Sequence, residues 1–168
     1  MNKKIFIASD HAGYELKNTL VEFLSDEGFE VIDKGPEKYQ KDDDYPEYII
    51  DAAKAVRDED NSLGIVLGYS GQGEALAANK VDGIRAAVYY GENPEITELS
   101  RKHNNANILS LGAGFIGDEE AKREVLNWLK ADFTGAERHK RRIKEIELYE
   151  NRKILKFYLP YLQVIKKI

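Results

Sequence analysis

The stretch LGIVLGYSGQGEALAANK, residues 63–80, joins an unbroken apolar run to a glycine loop and then to a run of small residues. An apolar run that does not alternate with polar residues is typical of a strand buried on both faces of a parallel sheet. The loop contains three glycines, and successive backbone N–H groups at the start of a helix can bind an anion. The stretch therefore predicts a strand, an anion-binding loop and a helix, in that order.

Four more short apolar runs have the same character, and helical patterns separate them. The runs are KIFIAS (4–9), FEVID (29–33), IRAAVYY (84–90) and NILSLG (107–112). The helical patterns have start or stop signals at Gly28, Pro46, Pro94 and Asp118. This alternation of strands and helices predicts an α/β protein with a three-layer, doubly wound sheet.

Polar or glycine-rich segments follow the ends of the predicted strands. Asp10-His11 comes after the first strand, residues 68–74 after the third, residues 89–93 after the fourth and residues 112–114 after the fifth. In doubly wound sheets, ligands bind beyond the carboxyl ends of the strands. We therefore expect a binding site at this edge of the sheet.

The glycine loop matches none of three common motifs. Gly71-Gln72-Gly73 continues with Glu74, so the third glycine of a dinucleotide fingerprint is missing. GYSGQ lacks the last glycine of a nucleophile elbow, and the Walker pattern is absent as well. What remains is an oxyanion-binding loop with Ser70 as a hydroxyl donor and Glu74 at the helix start. Alternatively, Glu74 is an ordinary carboxylate favoured by the helix dipole.

Other polar clusters have a structural as well as a functional explanation. Asp10-His11 is either a turn cap beside a surface histidine or part of a site, and His103 lies on an apolar helix face where core histidines are common. Arg138 and Arg142 lie one turn apart and form either a solvated basic face or a pair that binds phosphate. The acidic run Asp42–Asp44 lacks the spacing of a calcium loop and is predicted to be solvated.

The composition argues against several classes of protein. The chain has 168 residues, a formal net charge of −5 and no cysteine. This charge does not suit a nucleic-acid binder that works by bulk electrostatics, and the absence of cysteine excludes disulfides, thiolate metal sites and a cysteine nucleophile. No apolar stretch approaches the ~18 residues that span a bilayer, and the first residues lack a signal-peptide pattern. We expect a soluble, cytoplasmic protein.

Six stretches of the chain, in their order and spacing, resemble the ribose-5-phosphate isomerase B family, which also includes bacterial galactose-6-phosphate isomerases. They are IASDHAGYELK (7–17), EVIDKG (30–35), DYP (44–46), GYSGQGEALAANKVDGIRAA (68–87), SRKHNNANILSLGAG (100–114) and ERHKRRI (137–143). The resemblance implies a Rossmann-like three-layer α/β/α fold with a five-stranded parallel sheet, and the long, charged helical pattern after Thr134-Gly135 adds a long C-terminal helix. It also implies a homodimer or a dimer of dimers with sites at the subunit interface.

The resemblance places domain limits as well. It implies a single sugar-phosphate isomerase domain over residues 1–150. Residues 151–168 lie beyond the recognised motifs, and we expect them to form a helical extension that contacts the dimer partner.

The resemblance further implies a role for each candidate residue. Some members use a cysteine base, but GYSGQGE is similar to a branch that has a glutamate after the loop. Glu74 is then the base that moves a proton between C1 and C2 of an open-chain sugar, and His103 is the acid that opens the ring. Ser70 and the backbone amides around it hold the enediolate oxygen. The implied substrate contacts are Asp10, His11, Tyr45, Tyr69, Gly71, Gln72, Gly73, Asn104, Arg138 and Arg142.

Among these contacts, Asp10 and Asn104 are assigned to sugar hydroxyls, whereas His11 and the two arginines are assigned to the phosphate. One position departs from the family pattern, because Gly114 stands where members usually carry a phosphate-binding arginine. Either another basic residue such as Lys140 or Arg141 replaces that donor, or phosphate binding is weaker.

Taken together, these features predict an aldose–ketose isomerase that interconverts ribose 5-phosphate and ribulose 5-phosphate through a cis-enediolate. A carboxylate base, an anion-binding loop, an imidazole acid and a basic pair need neither a metal nor a cofactor. A nearer alternative is the same reaction on allose or galactose 6-phosphate. A more distant one is a non-catalytic subunit that binds sugar phosphates, which the departure at Gly114 suggests. We expect no nucleic-acid or membrane partner.

Overall fold

The computed structural model describes the backbone of residues 3–165 and the side chains of residues 3–151. Within these residues the chain forms five strands and six helices. In chain order they are β1 (Lys4–Ser9), α1 (Tyr14–Asp26), β2 (Glu30–Asp33), α2 (Tyr45–Asp58), β3 (Ser62–Gly68), α3 (Gln72–Ala78), β4 (Ala86–Tyr89), α4 (Glu95–Asn104), β5 (Ile108–Gly112), α5 (Asp118–Lys130) and α6 (Glu137–Ile165).

The strands form one parallel sheet in the order β2-β1-β3-β5-β4. Helices α1 and α5 cover one face of the sheet, and α2 and α3 cover the other. The predicted three-layer α/β/α fold is therefore confirmed. From β1 the chain goes first to β2 on one side and then to β3 on the other. This reversal opens a crevice beyond the carboxyl ends of β1 and β3.

The unbroken apolar runs follow from burial of the sheet on both faces. Successive side chains of a strand point to opposite faces, so the inner positions of β1, residues 5–8, are apolar on both faces. Its Ile5 and Ile7 pack in the same cluster as Leu20 of α1 and Trp128 of α5. Phe6, between them, packs in the cluster formed with α2 and α3. The sheet core therefore consists of two apolar layers separated by the backbone of the strands.

Helix ends follow the turn chemistry at most of the predicted positions. Gly28, just after α1, has a φ of +86°, a left-handed conformation that glycine adopts at little cost. Pro46 lies in the first turn of α2, as its fixed φ favours. The expected cap at Asp118 is wrong, because Gly117 is the capping residue and Asp118 is the first residue of α5. There its charge is favourable through the helix dipole.

The chain divides into two compact units, Met1–Thr134 and Gly135–Ile168. The first contains the sheet with α1 to α5, and the second contains α6, the predicted long C-terminal helix. The predicted contact of residues 151–168 with a dimer partner falls almost wholly on side chains outside the described residues, and it stays a prediction, as does a boundary at residue 150. Among the helices of the described residues, none combines the length and apolarity needed to cross a membrane.

A buried ammonium group fixes the start of the connection between β2 and α2. Lys17 of α1 is fully buried, and its Nζ donates hydrogen bonds to Asp33 Oδ2 and, at 2.9 Å, to the Pro36 carbonyl oxygen. The other carboxylate oxygen of Asp33 accepts a hydrogen bond from the Gly35 N–H at 2.8 Å. Because a buried charge is tolerated only when it is paired and hydrogen-bonded, these bonds define the position of this segment against α1.

We expect Lys17→Met to lower the free energy of unfolding by about 1–3 kcal/mol, since Asp33 and the Pro36 carbonyl both lose their donor. Urea denaturation followed by circular dichroism measures this loss. Lys34→Met is the matched control, because the Lys34–Asp51 pair, with its atoms 2.8 Å apart, is partly exposed on both sides. Such surface pairs contribute about 0–1 kcal/mol. Equal losses in the two variants would contradict the structural role of Lys17.

Candidate active site

The glycine loop lies at the crevice, between the end of β3 and the start of α3. Gly71 has a φ of +74° and approaches β5 so closely that an added Cβ would lie 2.9 Å from the Leu111 carbonyl carbon. A side chain here would be both strained and crowded. The Ser110 hydroxyl donates to the Gly71 carbonyl oxygen at 2.6 Å, and the Gln72 N–H donates to Ser70 Oγ at 3.4 Å. These contacts hold the loop against the neighbouring strand.

Glu74 is buried at the base of this loop, with 4% of its surface exposed. Its carboxyl group occupies the space beside Gly68, where an added Cβ would collide with it. Burial raises the pKa of Glu74; a backbone hydrogen bond opposes this effect, and the negative charge of Asp10 adds to it. A carboxyl group with a raised pKa is suited to accept and return a proton near neutral pH. A carboxylate placed only for the helix dipole would be expected in solvent.

Asp10 lies on the opposite side of the crevice, directly after β1. Its Oδ1 accepts hydrogen bonds from the Ala12 N–H at 2.9 Å and the Gly13 N–H at 3.1 Å. Gly13 in turn approaches β3 so closely that an added Cβ would lie 2.6 Å from Leu67 Cβ. Asp10 therefore caps the turn, as one explanation from the sequence predicted. The same turn also holds its carboxylate beside the end of β3, where its charge acts on Glu74.

His11 forms a close pair with Asp43, a residue that was not predicted from the sequence to belong to the site. His11 Nδ1 lies 2.7 Å from Asp43 Oδ1, and the His11 backbone N–H donates to the same oxygen at 3.0 Å. The Asp43 side chain is only 4% exposed, so the prediction of a solvated acidic run is wrong for Asp43, although Asp42 and Asp44 are exposed. The sequence feature that could have identified Asp43 as a site residue is its position between β2 and α2, in a loop that must cross the carboxyl edge of the sheet.

Tyr45, the first residue of α2, packs against the glycine loop at Gly73. An added Cβ at Gly73 would lie 2.9 Å from Tyr45 Cζ and 3.0 Å from its hydroxyl oxygen. The phenol is thus adjacent to the backbone that carries Gln72 and Glu74, and the Gln72 side chain is exposed. The structure therefore brings these predicted site residues together within one chain: Asp10, His11, Tyr45, Ser70, Gly71, Gln72, Gly73 and Glu74.

Tyr69 belongs to an exposed aromatic rim beside this loop. Its ring packs edge-on against Phe115, with ring centroids 5.4 Å apart, and the ring centroid of Tyr90 lies 6.0 Å from that of Phe115. An added Cβ at Gly114 would overlap the Tyr69 ring. A larger residue at position 114 would therefore require Tyr69 to move, and this gives a packing reason for the glycine where the family pattern has arginine.

His103 and Asn104 lie at the other edge of the sheet. They end α4, after which Asn105 turns the chain with a φ of +48° and the Asn107 carbonyl accepts a hydrogen bond from the Gly64 N–H near the start of β3. Glu74 lies beyond the carboxyl end of β3, which has seven residues and is therefore about 20 Å long. Within one chain, the structure does not bring His103 and Asn104 to Glu74.

Arg138 and Arg142 belong to the second unit, where both are exposed on the first turns of α6. Arg138 Nε donates a hydrogen bond to His139 Nε2 at 2.9 Å. Arg138 and Arg142 lie one helical turn apart, as predicted from the sequence. Their assignment to the substrate phosphate stays a prediction. In the part of the chain that the structure describes, no group of three or more His, Asp or Glu residues is arranged to hold a metal ion.

Comparison with known proteins shows similarity over most of the chain. A model of the family described as Ribose/Galactose Isomerase matches residues 5–146. The chain is 42% identical over 147 residues to ribose-5-phosphate isomerase B of Mycobacterium tuberculosis. The aligned region covers 88% of this chain and 90% of that protein. The chain is 40% identical over 151 residues to ribose-5-phosphate isomerase B of Escherichia coli K12, covering 90% and 99% of the two chains.

Solved structures show the same similarity. Ribose-5-phosphate isomerase B of Clostridium thermocellum superposes with a TM-score of 0.84 at 43% identity, covering 89% of this chain and 99% of that one. The enzyme of the same name from Mycoplasma genitalium, solved with bound ribulose-5-phosphate, has a TM-score of 0.84 at 41% identity. The matched region covers 90% of this chain and 98% of the Mycoplasma genitalium chain.

We expect Gly68→Ala to push the Glu74 carboxyl group out of its buried position, because the new methyl group would occupy the same space. With less burial, the pKa of Glu74 should fall toward the usual glutamate range, and NMR titration of the carboxyl carbon measures this change. Gly117→Ala is the matched control, since nothing lies within 4 Å of an added Cβ there. A pKa that is the same in the Gly68→Ala protein and the wild type would contradict the packing argument.

Proposed function

The chain belongs to the ribose/galactose isomerase family, and we propose that it interconverts ribose 5-phosphate and ribulose 5-phosphate. The observation that carries this proposal is the buried Glu74 carboxyl group beside a closely packed glycine loop at the crevice of the sheet. The names of the similar proteins support the pentose substrate, as does the ribulose-5-phosphate bound in the Mycoplasma genitalium structure.

Glu74 is the base of the proposed reaction. Its carboxylate removes the proton from C2 of the open-chain aldose and returns it to C1, while the hydroxyl proton moves between the two oxygens through a cis-enediolate. The raised pKa of Glu74 suits both steps, because the same group must first accept and then donate the proton. The Ser70 hydroxyl and the N–H groups of Gly71 and Gly73 stabilise the negative oxygen of the enediolate.

Substrate is held by groups on both sides of the crevice. Asp10 uses Oδ1 for its own turn, and its Oδ2 is offered to a sugar hydroxyl. Tyr45, Tyr69 and Gln72 line the approach to the glycine loop. The phosphate is bound by His11 together with Arg138 and Arg142, whose planar guanidinium groups match phosphate oxygens.

Ring opening requires a second copy of the chain. His103 is the proposed acid that protonates the ring oxygen, but within one chain it lies at the opposite edge of the sheet from Glu74. We therefore propose a homodimer, or a dimer of dimers, in which His103 and Asn104 of one subunit complete the site that contains Glu74 of the other. The protein acts without a metal or a cofactor in this mechanism.

A coupled assay against a panel of phosphorylated aldoses tests the activity. We expect kcat/KM for ribose 5-phosphate to exceed the values for allose 6-phosphate and galactose 6-phosphate by at least about tenfold, the discrimination that one additional carbon can produce. Glu74→Gln should lower kcat by about 10²–10⁴-fold, because the amide cannot accept the proton. Higher kcat/KM on a hexose phosphate would reassign the substrate, and near-wild-type turnover by Glu74→Gln would exclude it as the base.

Subunit complementation tests the shared site. Glu74→Gln and His103→Gln homodimers should both be inactive on ribose 5-phosphate. A heterodimer of the two variants, isolated with two different affinity tags, contains one site with both groups intact and should recover about half of the wild-type kcat per dimer, since one of its two sites is complete. If Glu74 and His103 acted within one chain, both sites of the heterodimer would be defective and no activity would return.

A further inference from the structure

Asp43 contacts His11, a residue that the proposed function assigns to the phosphate. We propose that Asp43 is a positioning residue, whose carboxylate fixes the His11 imidazole with its Nε2–H directed toward the phosphate of the substrate. This inference rests on the proposed function for the identity of the ligand, and on the His11–Asp43 geometry for everything else.

The geometry restrains both the backbone and the ring of His11. One oxygen, Asp43 Oδ1, accepts the His11 backbone N–H at 3.0 Å and lies 2.7 Å from Nδ1 of the same residue. These two bonds close a small ring of atoms, so the side chain has little freedom to rotate. Asp43 is 4% exposed and His11 is 37% exposed. Because Nδ1 faces the buried carboxylate, Nε2 on the other edge of the imidazole is the nitrogen that is available to a ligand.

The surroundings of Asp43 favour a cationic partner. Its second oxygen, Oδ2, is buried and has no hydrogen-bond partner among the described residues. A buried carboxylate with one oxygen unsatisfied is costly unless a positive charge lies next to it. His11 supplies that charge when it is protonated. Tyr48 of α2 supplies no positive charge to Asp43, and burial, together with the charges of Asp43 and Glu47, raises the pKa of Tyr48.

The charged groups that act on His11 all favour its protonated form. The hydrogen bond to Asp43 raises the pKa of His11; burial opposes this effect, and the charges of Asp10, Asp43 and Asp42 add to it. A raised histidine pKa means that the imidazolium persists to higher pH and is lost only as the pH rises through that higher value. When Nδ1–H is donated to Asp43, the imidazolium still has Nε2–H to donate to an anion.

This arrangement matters because a sugar phosphate titrates in the same range as a histidine. The second pKa of a phosphate monoester is about 6, so the dianion is the main form only above that pH. An ordinary histidine has a pKa of about 6.5 and would lose its charge just as the dianion forms. Asp43 therefore widens the pH range in which a phosphate dianion meets a charged His11. Charge-assisted hydrogen bonds of this kind are roughly twice as strong as neutral ones.

Asp43→Asn is the variant that tests the proposal, since its amide oxygen can still accept both hydrogen bonds while the negative charge is lost. We expect the pKa of His11, followed by NMR titration of the imidazole, to fall toward about 6.5. The KM for ribose 5-phosphate should rise about three- to tenfold at pH 8 and much less at pH 6, while kcat changes less than about twofold. Asp44→Asn, an exposed neighbour with the same change of charge, is the control and should behave as wild type.

An unchanged His11 pKa in the Asp43→Asn protein would overturn the proposal, as would a KM increase of equal size at pH 6 and pH 8. The wild-type protein provides a test that does not depend on folding of the variant, because His11 must titrate clearly above 6.5 and inorganic phosphate must raise its pKa further. The chain has three histidines, so His11→Gln identifies the resonance. These titrations need no sugar substrate. A protein that failed to isomerise ribose 5-phosphate would therefore overturn the proposed function and leave this test intact.

Discussion

The burial of the Glu74 carboxyl group against Gly68 is the contact on which the rest of the site depends. Gly68 ends the central strand β3, and the absence of a side chain there leaves the space that the carboxyl group fills. Burial raises the pKa of Glu74, and the charge of Asp10 adds to this effect. The acid–base behaviour of the site thus follows from a packing relation between one glycine and one glutamate that lie six positions apart in the sequence.

The strand order places the other groups around this carboxyl group. Since β1 and β3 are neighbours at the point where the chain reverses direction across the sheet, Asp10 and the glycine loop face each other over one crevice. The approach of Gly13 to β3 and of Gly71 to β5 leaves no room for side chains, so the loops lie directly on the strand ends. Backbone N–H groups can therefore be offered to a ligand from a rigid position.

The sequence predicted the fold well because its signals are local. Residues such as Ile5, Phe6 and Ile7 are apolar one after another, and a strand covered on both faces requires that pattern. The family resemblance drawn from the motifs is also confirmed by the family model. The site was predicted less completely, because a local pattern cannot show which loops meet. Asp43 resembles its exposed neighbours in sequence, and only its contact with His11, 32 positions away, distinguishes it.

From sequence alone, the chain determines its strands and helices, the glycine loop between β3 and α3 and the presence of residues able to carry acid–base chemistry. The tertiary structure decided which of them meet: Glu74 with Gly68, Tyr69 with Gly114 and His11 with Asp43. It also placed His103 at the opposite edge of the sheet, although its helical pattern was read correctly from the sequence. The physical reason is that periodicity reflects burial of each segment separately, whereas a site depends on the order of the strands and on the close approach of distant loops.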